Sequence, residues 1–189
     1  MDRITSRERL RTALRRQPPD RLPRVEQSYW PETLARWRAE GMPADATPGE
    51  LFDLDPFLSF GLDHSLRLTP RVLSETEEWV IDCDADGVVH RRWKHSYHTP
   101  GTVDHLIKTR ADWERHAERL AYDPSRINDE VRRGIARANQ EGQFCTISPA
   151  EPVWWVLSTL GMENALLILA EDPEFFATMM GRRPSWLCA

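Results

Sequence analysis

Apolar residues recur at helical spacing in several stretches of the chain, each bracketed by capping and breaking residues. The first runs from Thr5 to Arg16: Thr5-x-x-Glu8 fits a capping box, and Leu10, Ala13 and Leu14 form one apolar stripe. Pro18 and Pro19 end that helix, and Asp20-Arg21-Leu22-Pro23 turns the chain toward Val25, so that Leu22 to Ser28 reads as a short buried strand. Pro31 suits the first turn of a second helix, on which Trp30, Leu34 and Trp37 lie four and three apart, until Gly41 and Pro43 stop it. Thr47-Pro48-Gly49-Glu50 opens a third helix, kept short by the break at Asp53 to Pro56.

Between residues 66 and 96 the pattern becomes extended, with runs Arg71 to Ser74, Glu78 to Asp84 and Val88 to Lys94. Asp86-Gly87 signals a hairpin between the last two, so this region reads as an antiparallel flap. Thr109-x-x-Asp112 caps a helix carrying Trp113, Ala117 and Leu120, and Asp123-Pro124 opens a longer one with Ile127, Val131, Ile135 and Ala138 on one face as far as Gly142. Phe144 to Ser148 is short and almost continuously apolar, as expected of a strand covered on both faces. Helices follow over Val153 to Leu160, Met162 to Ala170 and Pro173 to Met180. Helix, strand, helices, strand, helices is the rhythm of an α/β protein.

At 189 residues and 40% hydrophobic content the chain is long and apolar enough for one globular domain. A formal charge of −5 gives no support to a general affinity for nucleic acid or acidic lipid, and the basic run Arg7 to Arg16 reads as the wet face of a helix. Cys83, Cys145 and Cys188 are odd in number and contain no Cys-x-x-Cys pair, which argues against a disulfide framework and a zinc ribbon and suits a reducing cytosol. The N-terminus lacks the apolar run of a signal peptide, and no segment reaches the roughly 20 apolar residues of a membrane span, so a cytoplasmic location is expected. His95-x-x-His98, with His90 nearby, is the one metal-like spacing, but on an extended hairpin these side chains need not converge and exposed histidines are the expectation. Nothing resembles a nucleophile elbow, a phosphate-binding glycine loop or a catalytic triad.

The opening phrase, Ser6-Arg7-Glu8-Arg9, then Ala13-Leu14, then Pro19-Asp20-Arg21 and Pro23, resembles the start of uroporphyrinogen decarboxylase-like proteins, a family that includes corrinoid-linked methyltransferases. Later phrases extend the likeness in order: Asp84-Ala85-Asp86-Gly87, Thr99-Pro100-Gly101, Lys108-Thr109-Arg110-Ala111-Asp112-Trp113, Leu160-Gly161-Met162-Glu163-Asn164 and Glu171-Asp172-Pro173-Glu174. The resemblance implies a (β/α)8 barrel with its pocket at the C-terminal strand ends. Such a barrel takes roughly 250 residues. The expectation is therefore a truncated N-terminal half over residues 1–180, with an inserted antiparallel hairpin and an atypical tail at 181–189. An open half-sheet would expose strand edges, through which the chain could form a homodimer.

By the same resemblance the activity is a carboxy-lyase of porphyrin metabolism acting on a small molecule without a cofactor. Methyl transfer using zinc, with its ligands in the distal half, is the alternative, and a non-catalytic fragment is another. The decarboxylases carry arginines after their first strand to grip substrate carboxylates. Here that stretch reads Val25-Glu26-Gln27-Ser28-Tyr29-Trp30, and Glu26 would repel a polycarboxylate. Asp63 is the nearest counterpart of the family's aspartate on the second strand, although Gly-x-Asp is also common loop chemistry. Glu26 and Glu151 fall at predicted strand ends, where each could act as general base or as a rim carboxylate paired with an arginine. Trp30 and Trp154 could line the pocket for a planar ligand, while core packing is the ordinary use of the eight tryptophans.

Overall fold

Each threonine capping box read from the sequence starts a helix in the computed structural model, which describes residues 4–95, 99–121, 123–148 and 151–182. In chain order the elements are α1 (Ser6–Leu14), α2 (Pro31–Ala39), α3 (Pro48–Leu51), β1 (Phe57–Gly61), β2 (Arg71–Glu75), β3 (Trp79–Cys83), β4 (Val88–Trp93), β5 (Gly101–His105), α4 (Arg110–His116), α5 (Asp129–Gln140), β6 (Phe144–Ser148), α6 (Pro152–Leu160), α7 (Met162–Glu171) and α8 (Pro173–Arg182). Thr5, Thr47 and Thr109 each accept the amide three residues on, and the acid there accepts the threonine amide in return. Gly41, at φ 111°, ends α2: its own amide bonds to the Arg38 carbonyl at 3.2 Å and the Met42 amide to the Trp37 carbonyl at 2.9 Å.

The architecture is mixed α/β, and neither of its sheets closes on itself. One has two parallel strands, β1 and β6, and the other has four antiparallel strands in the order β2-β3-β4-β5. The chain divides into two compact units, Met1–Gly61 with Ile127–Ser148, and Leu62–Arg126 with Pro149–Ala189. The expected boundary at residue 180 falls inside α8, and residues 183–189, Cys188 among them, lie outside the described residues.

In the first unit β1 pairs with β6 from Phe57 opposite Phe144 to Gly61 opposite Ser148, and α5 packs on both strands. Gly134 lets that helix approach closely, since a Cβ there would stand 2.6 Å from the Phe60 ring. Few apolar side chains are fully buried in this unit. Leu10 and Ala138 are, among the described residues, but so are Arg9 and Asp55. The Asp55 carboxylate accepts from Ser6 Oγ at 2.8 Å, Arg21 Nη1 at 2.7 Å, the Arg24 amide at 3.0 Å and Arg9 Nη1. Arg9 also forks onto Asp20 at 2.7 and 2.8 Å. Burial opposes ionisation of Asp55, but the bonds from Arg24, Ser6, Arg9 and Arg21 prevail and hold its carboxyl below the usual range. The Arg9 guanidinium brings Asp20 down to about 2.

Several expectations are corrected here. The α1 stripe does not all turn inward: Leu10 is buried while Leu14 is 71% exposed, because Arg9 takes the interior position to meet its two carboxylates. Leu22 to Ser28 is not a strand. Pro23 has no amide to give, and the Arg24 amide is taken by the Asp55 side chain, so a single residue bridges to Asp55 and no ladder follows. β6 is not covered on both faces, since none of its residues is fully buried and Ile147 is 52% exposed. Asp123-Pro124 opens only a 3₁₀ turn. α5 starts at Asp129, where the Asn128 side chain accepts the Val131 amide at 2.8 Å. The pattern did not signal β1 or β5.

The second unit holds an apolar core. Trp113 and Trp155 meet edge to face with ring centroids 5.9 Å apart, among Leu66, Ile107, Leu160, Phe175 and Met179. The expected hairpin closes through Gly87, at φ 78°, whose amide bonds to the Asp84 carbonyl at 3.1 Å. Arg126 threads its buried guanidinium under the start of this unit, donating to the carbonyls of Asp63 at 3.1 Å and Ser65 at 2.9 Å. Among the described residues no single helix is long and apolar enough to cross a membrane.

Asp55→Ala takes from buried Arg9 and half-buried Arg21 the carboxylate they share, leaving Arg9 with Asp20 and Arg21 with Asp53 alone, and should lower stability by about 3 kcal/mol, read from urea denaturation midpoints. Because the carboxyls of Asp55 and Asp20 titrate below their unfolded values, their contribution is complete above about pH 4 and should be lost as the pH falls toward 2. Gly87→Ala combines a left-handed backbone with a Cβ placed 2.6 Å from the Leu106 Cβ, and should lower the melting temperature by several degrees, a loss of about 2 kcal/mol.

Candidate functional site

The turn Asp84 to Gly87, strands β4 and β5 and the loop carrying His64 bring three histidines and two aspartates to one cleft in the second unit. The cleft holds about 450 Å³ and is lined by His64, Asp84, Asp86, His90 and His105 on one side, with Glu151, Trp154, Trp155, Ser158 and Met162 from α6 and the start of α7. Alternation along β4 sets Val88 and His90 on one face. Pairing of β4 with β5 sets His105 opposite Val88 and Thr102 opposite His90.

Hydrogen bonding fixes the carboxylates. Asp84 Oδ1 accepts the amides of Asp86 and Val88, both at 2.9 Å, and Asp84 Oδ2 meets His90 Nε2 at 2.9 Å. Asp86 Oδ1 accepts the Leu66 amide at 2.9 Å. Burial pushes the Asp86 carboxyl up, and the nearby Asp84 adds to this, against the Leu66 bond and His64. Burial also lowers the basicity of His105, which lies so close to Gly161 that a Cβ there would be 2.8 Å from its Nε2. The Nδ1 atoms of His64, His90 and His105 and the Nε1 of Trp155 are buried without a hydrogen-bond partner. Carboxyl and imidazole groups of opposed tendency around one opening can give and take protons.

The five residues singled out in the sequence are dispersed. Glu151 and Trp154 do reach this cleft, but Glu151 is occupied as the cap of α6, accepting the amides of Val153 at 3.2 Å and Trp154 at 2.5 Å, while Trp154 is 62% exposed at the rim. Asp63 does not line it. Its carboxylate accepts from Arg67 Nε at 2.5 Å and from Ser65 Oγ at 2.7 Å. Burial opposes its ionisation, yet the bonds from Arg67 and Ser65 keep it below the usual range, as befits a loop brace. Glu26 and Trp30 belong to the first unit and are exposed; Glu26 accepts the neighbouring Gln27 amide at 2.9 Å, and Trp30 precedes α2. His95 bonds to the Glu77 carbonyl at 3.0 Å, and His98 lies outside the described residues. Among the described residues no three of His, Cys, Asp and Glu converge as metal ligands.

Sequence reasoning passed over His64, Asp84, Asp86 and His105 as site residues and set His90 aside as an exposed histidine near His95-x-x-His98, whereas its side chain is largely buried against Asp84. The signal for Asp84 and His90 was present, because a three-residue loop followed by strict alternation returns position 90 to the face of the turn. His105 required β5, whose polar Thr102 and Asp104 concealed it.

The raised Asp86 carboxyl has a measurable consequence. Its charged form is less stable in the folded protein, so its contribution is fully present below about pH 4 and is lost as the pH rises through its folded value. Asp86→Asn, which keeps an acceptor for Leu66, should therefore melt higher than the parent at pH 7, with the gap closing as the pH is brought below about 4. Comparison with protein-family models, with curated proteins and with solved structures finds no match to this chain.

Proposed function

We propose that this chain is the N-terminal half of a uroporphyrinogen decarboxylase-like (β/α)8 barrel protein, a carboxy-lyase acting on a small molecule. The observation that carries the reading is the parallel pairing of β1 with β6, with α5 packed on both strands. Successive strands of such a barrel run parallel and are joined through a helix, and the antiparallel sheet falls in that connection as an insertion. Apolar side chains left in solvent, Leu58 and Ile147 in one unit and Leu166, Leu167 and Leu169 in the other, accord with surfaces that further barrel elements or a second copy of the chain would cover.

A second reading, methyl transfer to a thiol, draws on charge. Among the described residues no lysine or arginine lines the histidine cleft, and Glu26 stands where the decarboxylases grip carboxylates with arginine. In that reading a zinc ion would activate the thiol, with its ligands in the distal half of the barrel.

Titration with uroporphyrin, an octacarboxylate porphyrin, separates the two. Decarboxylation predicts binding, followed by tryptophan quenching, that weakens at least tenfold when salt rises from about 0.05 to 0.5 M. Absence of binding together with one zinc per chain by elemental analysis would move the assignment to methyl transfer. Absence of both would remove both activities and leave a non-catalytic partner-binding fragment.

A further inference from the structure

Negative charge gathers in the histidine cleft without a counter-ion. Asp84, Asp86 and Glu151 line it, and among the described residues no lysine or arginine does. Asp84 is fully engaged, with one oxygen on the amides of Asp86 and Val88 and the other against His90 Nε2. Glu151 is occupied as the cap of α6. Asp86 is only half engaged. One of its oxygens accepts the Leu66 amide at 2.9 Å, while the other accepts nothing among the described residues, and the side chain has no ion pair there.

The surroundings do not repair this imbalance. Burial and the neighbouring Asp84 both disfavour the charge on Asp86, and His64 offsets them only in part. The Arg126 guanidinium is spent on the carbonyls of Asp63, Ser65 and Arg119 and does not line the cleft. Burial also keeps His105 from taking a proton readily. A half-buried carboxylate on an open cavity calls for a partner, and none comes from the described chain.

Beside Asp86 the cleft offers an apolar flank. Trp154 stands exposed at the rim, Val88 and Met162 line the space with it, and Trp155, buried and with its Nε1 unpartnered, lines it too. Its volume of about 450 Å³ falls within the range of small-molecule sites. A bare metal ion would find too few donors, since among the described residues no three of His, Cys, Asp and Glu converge. An ammonium group needs less, a carboxylate oxygen for its N–H bonds and an aromatic face beside it.

We propose that this cleft binds a small organic cation, a primary ammonium group on a flat apolar body, with the free oxygen of Asp86 as its acceptor and Trp154 as the aromatic face. The inference is independent of the barrel reading, because all these groups belong to the second unit and the ligand is opposite in charge to a porphyrin carboxylate. Once bound, the cation removes the charge imbalance that makes Asp86 costly to the folded chain.

Calorimetric titration with phenethylammonium, with phenethyl alcohol and with phenylacetate tests it, at about pH 7.5 where unperturbed histidines are mostly neutral. The intact chain should bind the ammonium ion at least about tenfold more tightly than the alcohol, and the carboxylate more weakly still. The ammonium ion should also shift the indole N–H resonance of Trp154, assigned by its loss in Trp154→Ala. Asp86→Asn should weaken that binding at least about tenfold while melting higher than the parent at about pH 7, which separates lost affinity from lost fold. Trp154→Ala, at an exposed position, should weaken it by about threefold or more. An ammonium ion bound no more tightly than the alcohol, an affinity unchanged in Asp86→Asn, or a titration in which zinc or calcium chloride binds and the ammonium ion does not, overturns the proposal. Uroporphyrin binding or its absence decides the barrel reading alone.

Discussion

The first unit depends on one buried carboxylate. Asp55 lies just before β1 and gathers α1 through Ser6 and Arg9, and the chain between the first two helices through Arg21 and Arg24. With few fully buried apolar side chains nearby, this charged node replaces the hydrocarbon contacts that normally fix a helix to a strand. Such a node specifies geometry more than it adds stability, because most of its Coulomb gain is consumed in desolvating the partners. Its value lies in direction. Each guanidinium accepts only a narrow range of carboxylate positions, so the segments meet in one arrangement.

The second unit solves the same problem with aromatic area. The edge contact of Trp113 with Trp155 joins α4 to α6, and Phe175, Phe176 and Met179 close α8 over them. That core also shapes the cleft, since Trp155 is fully packed while Trp154, one residue earlier, faces outward at the rim. One helix thereby supplies both the support and the apolar wall of the site, which limits how far the histidines can move relative to it.

Helix starts were legible in the sequence because a cap is a local device. Thr5, Thr47 and Thr109 carry their instruction within three residues, and the hairpin at Asp86-Gly87 is similarly self-contained. Strands were harder to read where their partners are remote. Leu22 to Ser28 has the composition of a strand, yet its fate was decided by a carboxylate about thirty residues away in sequence, at Asp55. The candidate site suffered in the same way. Trp154 and Glu151 were visible as an aromatic and an acid at a strand end, but whether an acid is free or spent on a cap depends on the backbone amides it meets. Asp63 looked equally suitable until Arg67 and Ser65 were seen to occupy it.

Unsatisfied groups give the last step. A folded chain leaves few buried polar atoms without a partner, because each costs desolvation that nothing returns. Among the described residues six such atoms have no partner, and four of them, the Nδ1 of His64, His90 and His105 and the Nε1 of Trp155, belong to residues lining the same cleft, beside a carboxyl that burial has made reluctant to ionise; the other two are His116 Nδ1 and Arg126 Nε. A chain selected for stability alone would fill that space with hydrocarbon. Local rules of packing and hydrogen bonding fail together where function sets the requirement. The cost is borne by the unit with the larger apolar core, the one better able to sustain it, and this marks the cleft, more than any residue picked out by pattern, as the candidate site.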